Sequence, residues 1–136
     1  GLNFKITDLQ SALGISQFSK IQDFIKKKKH IFDTYKKNIE NYDFINFHSY
    51  ETPWFIDLKC KTNEERDKLS LYLKDKNVIT RDSYPALSLQ KYLRDIETAD
   101  LTYSENISNK ILWLPSSTIL KDEEVGIISD YINKFK

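Results

Sequence analysis

The feature that most constrains this chain is an apolar stripe running through its first third. Thr7 and Gln10 carry a capping-box signature, in which the Thr hydroxyl and the Gln side chain satisfy each other's orphan backbone donors. Asp8 adds negative charge at the positive end of the helix so started. From there Leu9, Ala12, Leu13, Phe18, Ile21, Ile25, Phe32, Tyr35 and Ile39 recur mainly at steps of three and four. Gly14 interrupts the pattern without ending it. The spacing predicts one amphipathic helix from about Asp8 to about Glu40, longer than most and shaped more like a connector than a layer element. Ahead of it Leu2 and Phe4 alternate with Asn3 and Lys5, an apolar approach unlike a frayed, polar terminus.

The rest of the chain alternates shorter signals. A strand is possible at Phe44 to Phe47, and WFIDLKC reads as a strand with Trp54, Ile56, Leu58 and Cys60 on one face. Thr62, Asn63 and Glu65 open a second helix whose apolar residues are Leu69, Leu71, Tyr72 and Leu73. NVITRDSY reads as a strand entering a loop at Pro85, and ALSLQKYL as an irregular or single-turn segment. A short helix then precedes a strand at Ile111 to Leu114, which Pro115 ends. Asp122, Glu123 and Glu124 start a last helix with Val125, Ile128, Ile132 and Phe135 as its buried stripe. This order predicts an α+β unit: a small sheet of about three strands with helices on one face. The expected organisation is an interface segment and long helix over residues 1–41, then a small α+β domain over 42–136.

A chain of 136 residues can bury one core. The formal net charge of +1 argues against a dedicated nucleic-acid binder. Cys60 is the only cysteine, so no intrachain disulfide can form, which fits a reduced, cytoplasmic setting. No apolar run reaches membrane-spanning length and no signal-peptide pattern occurs, so no membrane partner is expected.

The run Lys26 to His30 could meet a phosphate or a nucleic acid, but a solvated helix face explains it as well. Phe24 and Phe32 lie on the core stripe and are not interleaved for base stacking. Lys28 falls between Ile25 and Phe32 on that stripe, so its stem should lie on apolar surface with the amine reaching water. Two histidines and one cysteine without spaced acidic partners assemble no ordinary metal site, and His48 reads as a surface residue. Three glycines make a backbone phosphate cradle improbable. In ITRDSYPALSLQ a strand delivers Arg81 and then Tyr84 into a loop. Arg suits bidentate recognition of phosphate or carboxylate, while Tyr sets a hydroxyl on an apolar body. Spacing alone favours an ordinary surface Arg and a packed Tyr. The residues by themselves reach a soluble α+β domain and no reaction.

Three stretches in order carry a resemblance. GLNFKITDLQSALGISQFSKIQDFIKKKKHIFDTY, LSLYLKDKNVITRDSYPALSLQKY and ILWLPSSTILKDEEVGIISDYINKF resemble motifs of the DegT/DnrJ/StrS aminotransferases, over essentially the whole chain. These are pyridoxal-phosphate (PLP) enzymes that aminate nucleotide-linked ketosugars. The resemblance implies the C-terminal portion of such an enzyme: a connecting helix and the small domain of a fold-type I PLP aminotransferase. The large PLP-binding domain, with its Schiff-base lysine, would lie upstream, so no catalytic residue is expected here and the chain alone should bind PLP weakly and aminate nothing. The apolar approach at Leu2 and Phe4 then reads as an internal segment at a homodimer interface. Asn3 matches an Asn that reaches the partner's PLP phosphate. Lys5 matches a position that is often Arg, keeping the charge and losing the planar fork. Arg81 and Tyr84 match a loop bordering the sugar-nucleotide site, where Ser83 departs from a common His. Leu114 to Ser117 resembles the branch that includes perosamine-type synthases. The implied substrates are glutamate, as amino donor, and a nucleotide-linked 3- or 4-ketosugar of polysaccharide or antigen biosynthesis. The competing reading is a stand-alone dimerisation or binding module.

Overall fold

Thr7 caps a helix as its side chain demands: its hydroxyl accepts from the Gln10 backbone N–H and its own N–H donates to Gln10 Oε1 at 2.9 Å. The computed structural model describes residues 5–46, 48, 51–93 and 99–135. Leu2, Asn3, Phe4 and Phe47 lie outside the described residues.

The single long helix is a pair instead, α1 (Asp8–Phe18) and α2 (Ile21–Asn38). The Ser19 hydroxyl donates to the Ser16 carbonyl, and the Lys20 N–H closes a tight bond to Gln17 O at 3.0 Å. Such local bonding competes with the next helical turn. The sequence carries a trace of the break. Leu13 to Phe18 is a step of five, which swings Phe18 about 140° round the helix from Leu13. Gly14 stays inside α1, as expected.

Then follow β1 (Asp43–Phe44), β2 (Ile56–Lys59), α3 (Asn63–Asp75) and β3 (Arg81–Asp82). Two 3₁₀ turns, Leu87–Leu89 and Lys91–Leu93, occupy the segment read as irregular. The chain ends with α4 (Thr102–Ser108), β4 (Ile111–Leu114) and α5 (Asp122–Lys134). Among the described residues the sheet has four strands rather than three, in the order β1-β2-β4-β3, with every neighbouring pair antiparallel. The additional strand is β1 at the edge, whose Phe44 pairs with Leu58.

One sheet face makes the core. Ile56, Leu58 and Cys60 alternate inward along β2, Leu112 and Leu114 sit opposite on β4, and α2, α3 and α5 cover them. Ile31 and Tyr35 of α2, Leu69 and Leu73 of α3, and Val125 and Ile132 of α5 are fully buried there. The Tyr35 hydroxyl donates to the Pro115 carbonyl at 3.1 Å, tying α2 to the chain leaving β4. Burial holds that phenol protonated far beyond its ordinary range. It also pushes the Cys60 thiol up to about 12, which leaves it inert. Several expected core residues fall elsewhere: Leu9, Leu13 and Phe18 of the stripe lie exposed on α1. Leu71 is exposed, since it is half a helical turn away from Leu69 and Leu73. Trp54 is 74% exposed because β2 starts only at Ile56; Pro53 before it has no N–H for the ladder.

Candidate functional site

The helices cover one face of the sheet, and the opposite face carries the unusual chemistry. Strand alternation sends Phe55 and Asp57 of the β2 segment and Trp113 of β4 to that side. Asp57 and Arg81 are both register partners of Trp113, so the three stand in one row across β2, β4 and β3. Trp113 Nε1 donates to Asp57 Oδ1 at 2.6 Å. Burial raises the Asp57 carboxyl above its ordinary range, and the indole hydrogen bond pulls it partly back.

The rings form a ladder. Trp54 stacks on Phe55 with centroids 4.7 Å apart, Phe55 lies on Trp113 at 3.7 Å and nearly parallel, and Tyr84 meets Trp113 edge-on at 4.9 Å. The Arg81 guanidinium lies 5.1 Å from the Tyr84 ring centroid and 5.7 Å from that of Trp113, and it donates to the Tyr84 hydroxyl at 3.3 Å. Arg81 and Tyr84 are both exposed. One arm of the fork is thus spent on Tyr84, which leaves the other N–H groups of this exposed side chain as donors. Ser83 is half-buried, and its hydroxyl donates to the Tyr84 carbonyl.

Lys28 braces this face from behind. Its ammonium donates to the Trp54 carbonyl at 3.0 Å and to Ser116 Oγ at 2.9 Å, joining α2 to the Trp54 end of the ladder and to the chain leaving β4. The half-buried stem fits the expected course along apolar surface, and two protein acceptors hold the amine at its end. Burial lowers its pKa. The neighbouring His30 pairs with Asp122 at 2.9 Å, an exposed contact joining α2 to the start of α5.

The structure brings Arg81 and Tyr84 together as a pair. Lys5 lies exposed ahead of α1, outside this cluster, and Asn3 lies outside the described residues. Reading by motif missed Phe55, Asp57 and Trp113. The available signal was alternation: if Ile56 and Leu58 face the core, Phe55 and Asp57 must face the other way.

Fold and site define a small helix-backed sheet whose bare face presents an aromatic ladder flanked by a cation and a carboxylate. The chain belongs to the DegT/DnrJ/EryC1/StrS aminotransferase family, whose family model matches residues 1–133. It is 32% identical over 139 residues to a GDP-perosamine synthase of Escherichia coli O157:H7, covering 99% of this chain and 38% of that protein. A DegT DnrJ EryC1 StrS aminotransferase from Brucella abortus has the same fold over 97% of this chain and 36% of its own, with a TM-score of 0.85 at 20% identity. A Streptococcus pneumoniae protein described as a sugar aminotransferase, solved in its PMP form, matches with a TM-score of 0.76 at 22% identity over 95% of this chain and 35% of its own. The chain thus spans about 38% of the length of the curated relative it resembles.

The described residues do not by themselves fit PLP. A Schiff-base lysine needs a neutral amine free to attack an aldehyde. Lys28 is the lysine whose pKa is lowered, and its amine already donates to two oxygens, which favours the ammonium. No helix among the described residues is long and apolar enough to cross a membrane.

Proposed function

We propose that this chain is the C-terminal, substrate-facing part of a PLP-dependent aminotransferase that moves an amino group from glutamate to a nucleotide-linked 3- or 4-ketosugar. The observation that carries it is the exposed Arg81 guanidinium held against Tyr84 and Trp113 on the sheet face opposite the core. An exposed guanidinium on an aromatic platform binds a phosphate oxygen while the rings take the apolar face of a sugar or base. The likeness to a GDP-perosamine synthase supports a nucleotide sugar as the ligand. In this reading residues 1–41 are the interface segment and connecting helices, 42–136 the small domain, and PLP and its lysine belong to a separate N-terminal domain. Lys5 faces the substrate and Asn3 the cofactor phosphate across a homodimer. The exposed Ile6, Leu9, Leu13, Ile15 and Phe18 around α1 support that assembly, since clustered apolar side chains of this kind mark an interface. A cytoplasmic location belongs to the same reading.

The test is amination of a nucleotide-linked ketosugar by the complete enzyme that carries this segment. Arg81→Ala or Tyr84→Ala lowers turnover at low substrate by roughly tenfold or more, the worth of a charged hydrogen bond, while the exposed positions leave thermal stability nearly unchanged. Wild-type turnover in both variants overturns the assignment. The 136-residue chain, incubated with PLP and reduced with borohydride, shows scattered lysine labelling and no turnover. Saturable labelling of one lysine would reveal a PLP site in this chain.

A further inference from the structure

Arg81 carries the charge of the open face, yet its own strand does little to hold it. β3 is two residues long and both are exposed. Among the described residues no carboxylate forms an ion pair with Arg81; the neighbouring Asp82 lies 3.8 Å from Arg66 instead. An exposed arginine without an ion partner samples many rotamers, and ordering it costs free energy. Two rings do the ordering, Tyr84 and Trp113. Tyr84 is exposed and follows β3 in a loop, whereas Trp113 is buried and belongs to β4. The firm half of the platform is therefore the indole.

Trp113 is fixed from two directions. Phe55 lies flat on its face at 3.7 Å. Its Nε1–H donates to Asp57 Oδ1 at 2.6 Å, across the register pair that joins β2 to β4. Stacking fixes the plane of a ring but not its rotation within that plane; a directional hydrogen bond fixes both. A donor on a buried ring is costly to leave unmatched, so loss of the acceptor turns the indole toward water or another acceptor. The dependence is mutual, because burial works against the Asp57 carboxylate and the indole bond offsets part of that. On the other side of β4, Arg81 is the register partner of Trp113 in β3. The three residues make one line across three strands, in which the carboxylate fixes the ring and the ring fixes the guanidinium. We infer that Asp57 is a positioning residue for the proposed reaction: through the Trp113 indole it holds Arg81 in the geometry that receives the anionic group of the substrate. The inference rests on the reading of Arg81 as a substrate ligand.

The experiment has two arms. In the 136-residue chain, the Arg81 Nε–H resonance, identified among the three arginines by its loss in Arg81→Ala, reports the ring currents of Trp113 and Tyr84. Asp57→Leu keeps bulk and removes the acceptor. It should shift that resonance toward the position of an arginine in water. Asp57→Asn keeps an oxygen for the indole and should restore most of the difference. A resonance unmoved by Asp57→Leu, or moved equally by Asp57→Asn, overturns the inference and leaves the substrate reading intact. Should Asp57→Leu fail to fold, Asp57→Ala takes its place in both arms. In the complete enzyme, Asp57→Leu should raise KM for the nucleotide-linked ketosugar by roughly two- to fivefold with little change in kcat, the worth of an exposed cation–π contact. Asp57→Asn should recover most of that loss. In an Arg81→Ala background Asp57→Leu should add nothing, whereas a merely structural role multiplies KM equally in both backgrounds. Such equal multiplication, or a wild-type KM in Asp57→Leu, overturns the inference. Wild-type turnover in Arg81→Ala sinks the substrate reading itself, and this inference with it.

Discussion

Replacing Trp113 by Phe isolates the bond that organises the open face. Trp113 is 7% exposed, and a Phe ring in its place keeps the stack on Phe55 and the edge contact with Tyr84 while losing the indole N–H. Two costs follow. The smaller ring leaves a gap in a packed layer, worth about 1–2 kcal/mol at any pH. The second depends on pH. Asp57 titrates above its unfolded value because burial disfavours the carboxylate. A carboxyl shifted this way lowers stability above its folded-state pKa, and that cost disappears below its unfolded value. The indole N–H offsets part of the cost by stabilising the charged form. Its removal raises the Asp57 pKa further and leaves a half-buried carboxylate at neutral pH. A bond to a charged acceptor is worth about 1.5–3 kcal/mol and one to a neutral carboxyl about 1 kcal/mol. Because water reaches half-buried Asp57, the lower end applies. The expected destabilisation is therefore about 0.5 kcal/mol larger near pH 7 than near pH 3. Urea unfolding of both proteins at each pH reads this as a midpoint shift larger by about 0.25 M at the higher pH, for a slope of about 2 kcal/mol per M. A carbon-detected titration of Asp57 gives the pKa change directly. Equal destabilisation at both pH values, or an unmoved Asp57, refutes the reasoning.

Two further outcomes are expected. Leu69→Ala should cost about 3 kcal/mol in urea unfolding, because Leu69 is fully buried, whereas Leu71→Ala on the same helix should stay within about 0.5 kcal/mol; similar costs would mean that α3 presents another face to the core. Light scattering should give a mass above the monomer that rises with concentration, driven by the exposed apolar residues around α1; a concentration-independent monomer counts against the homodimer.

Much of this protein is determined by local sequence alone. The Thr7–Gln10 box and the Thr62 cap start α1 and α3 as read, because a cap is satisfied by residues three positions away. The alternation of Ile56, Leu58 and Cys60 names the core face of β2, and the acidic first turn and the Val125, Ile128 and Ile132 stripe describe α5. The Arg81–Tyr84 pair was legible too, since three residues separate its members. What local pattern could not decide was anything that depends on a distant partner. Lys28 reads as a solvated lysine until Trp54 and Ser116 supply acceptors from 26 and 88 residues away. The apolar stripe reads as one helix because spacing does not register that no residue of α1 is buried, and Leu71 and Trp54 look interior until helix phase and the true start of β2 expose them. Asp57 is an unremarkable acid in sequence. Only the β2–β4 register sets it against Trp113, 56 residues later, and turns two strands' outward-facing side chains into one surface. Strand alternation tells which residues share a face of their own strand; which strands lie side by side is chosen by burial of the whole sheet, and that choice composed the candidate site.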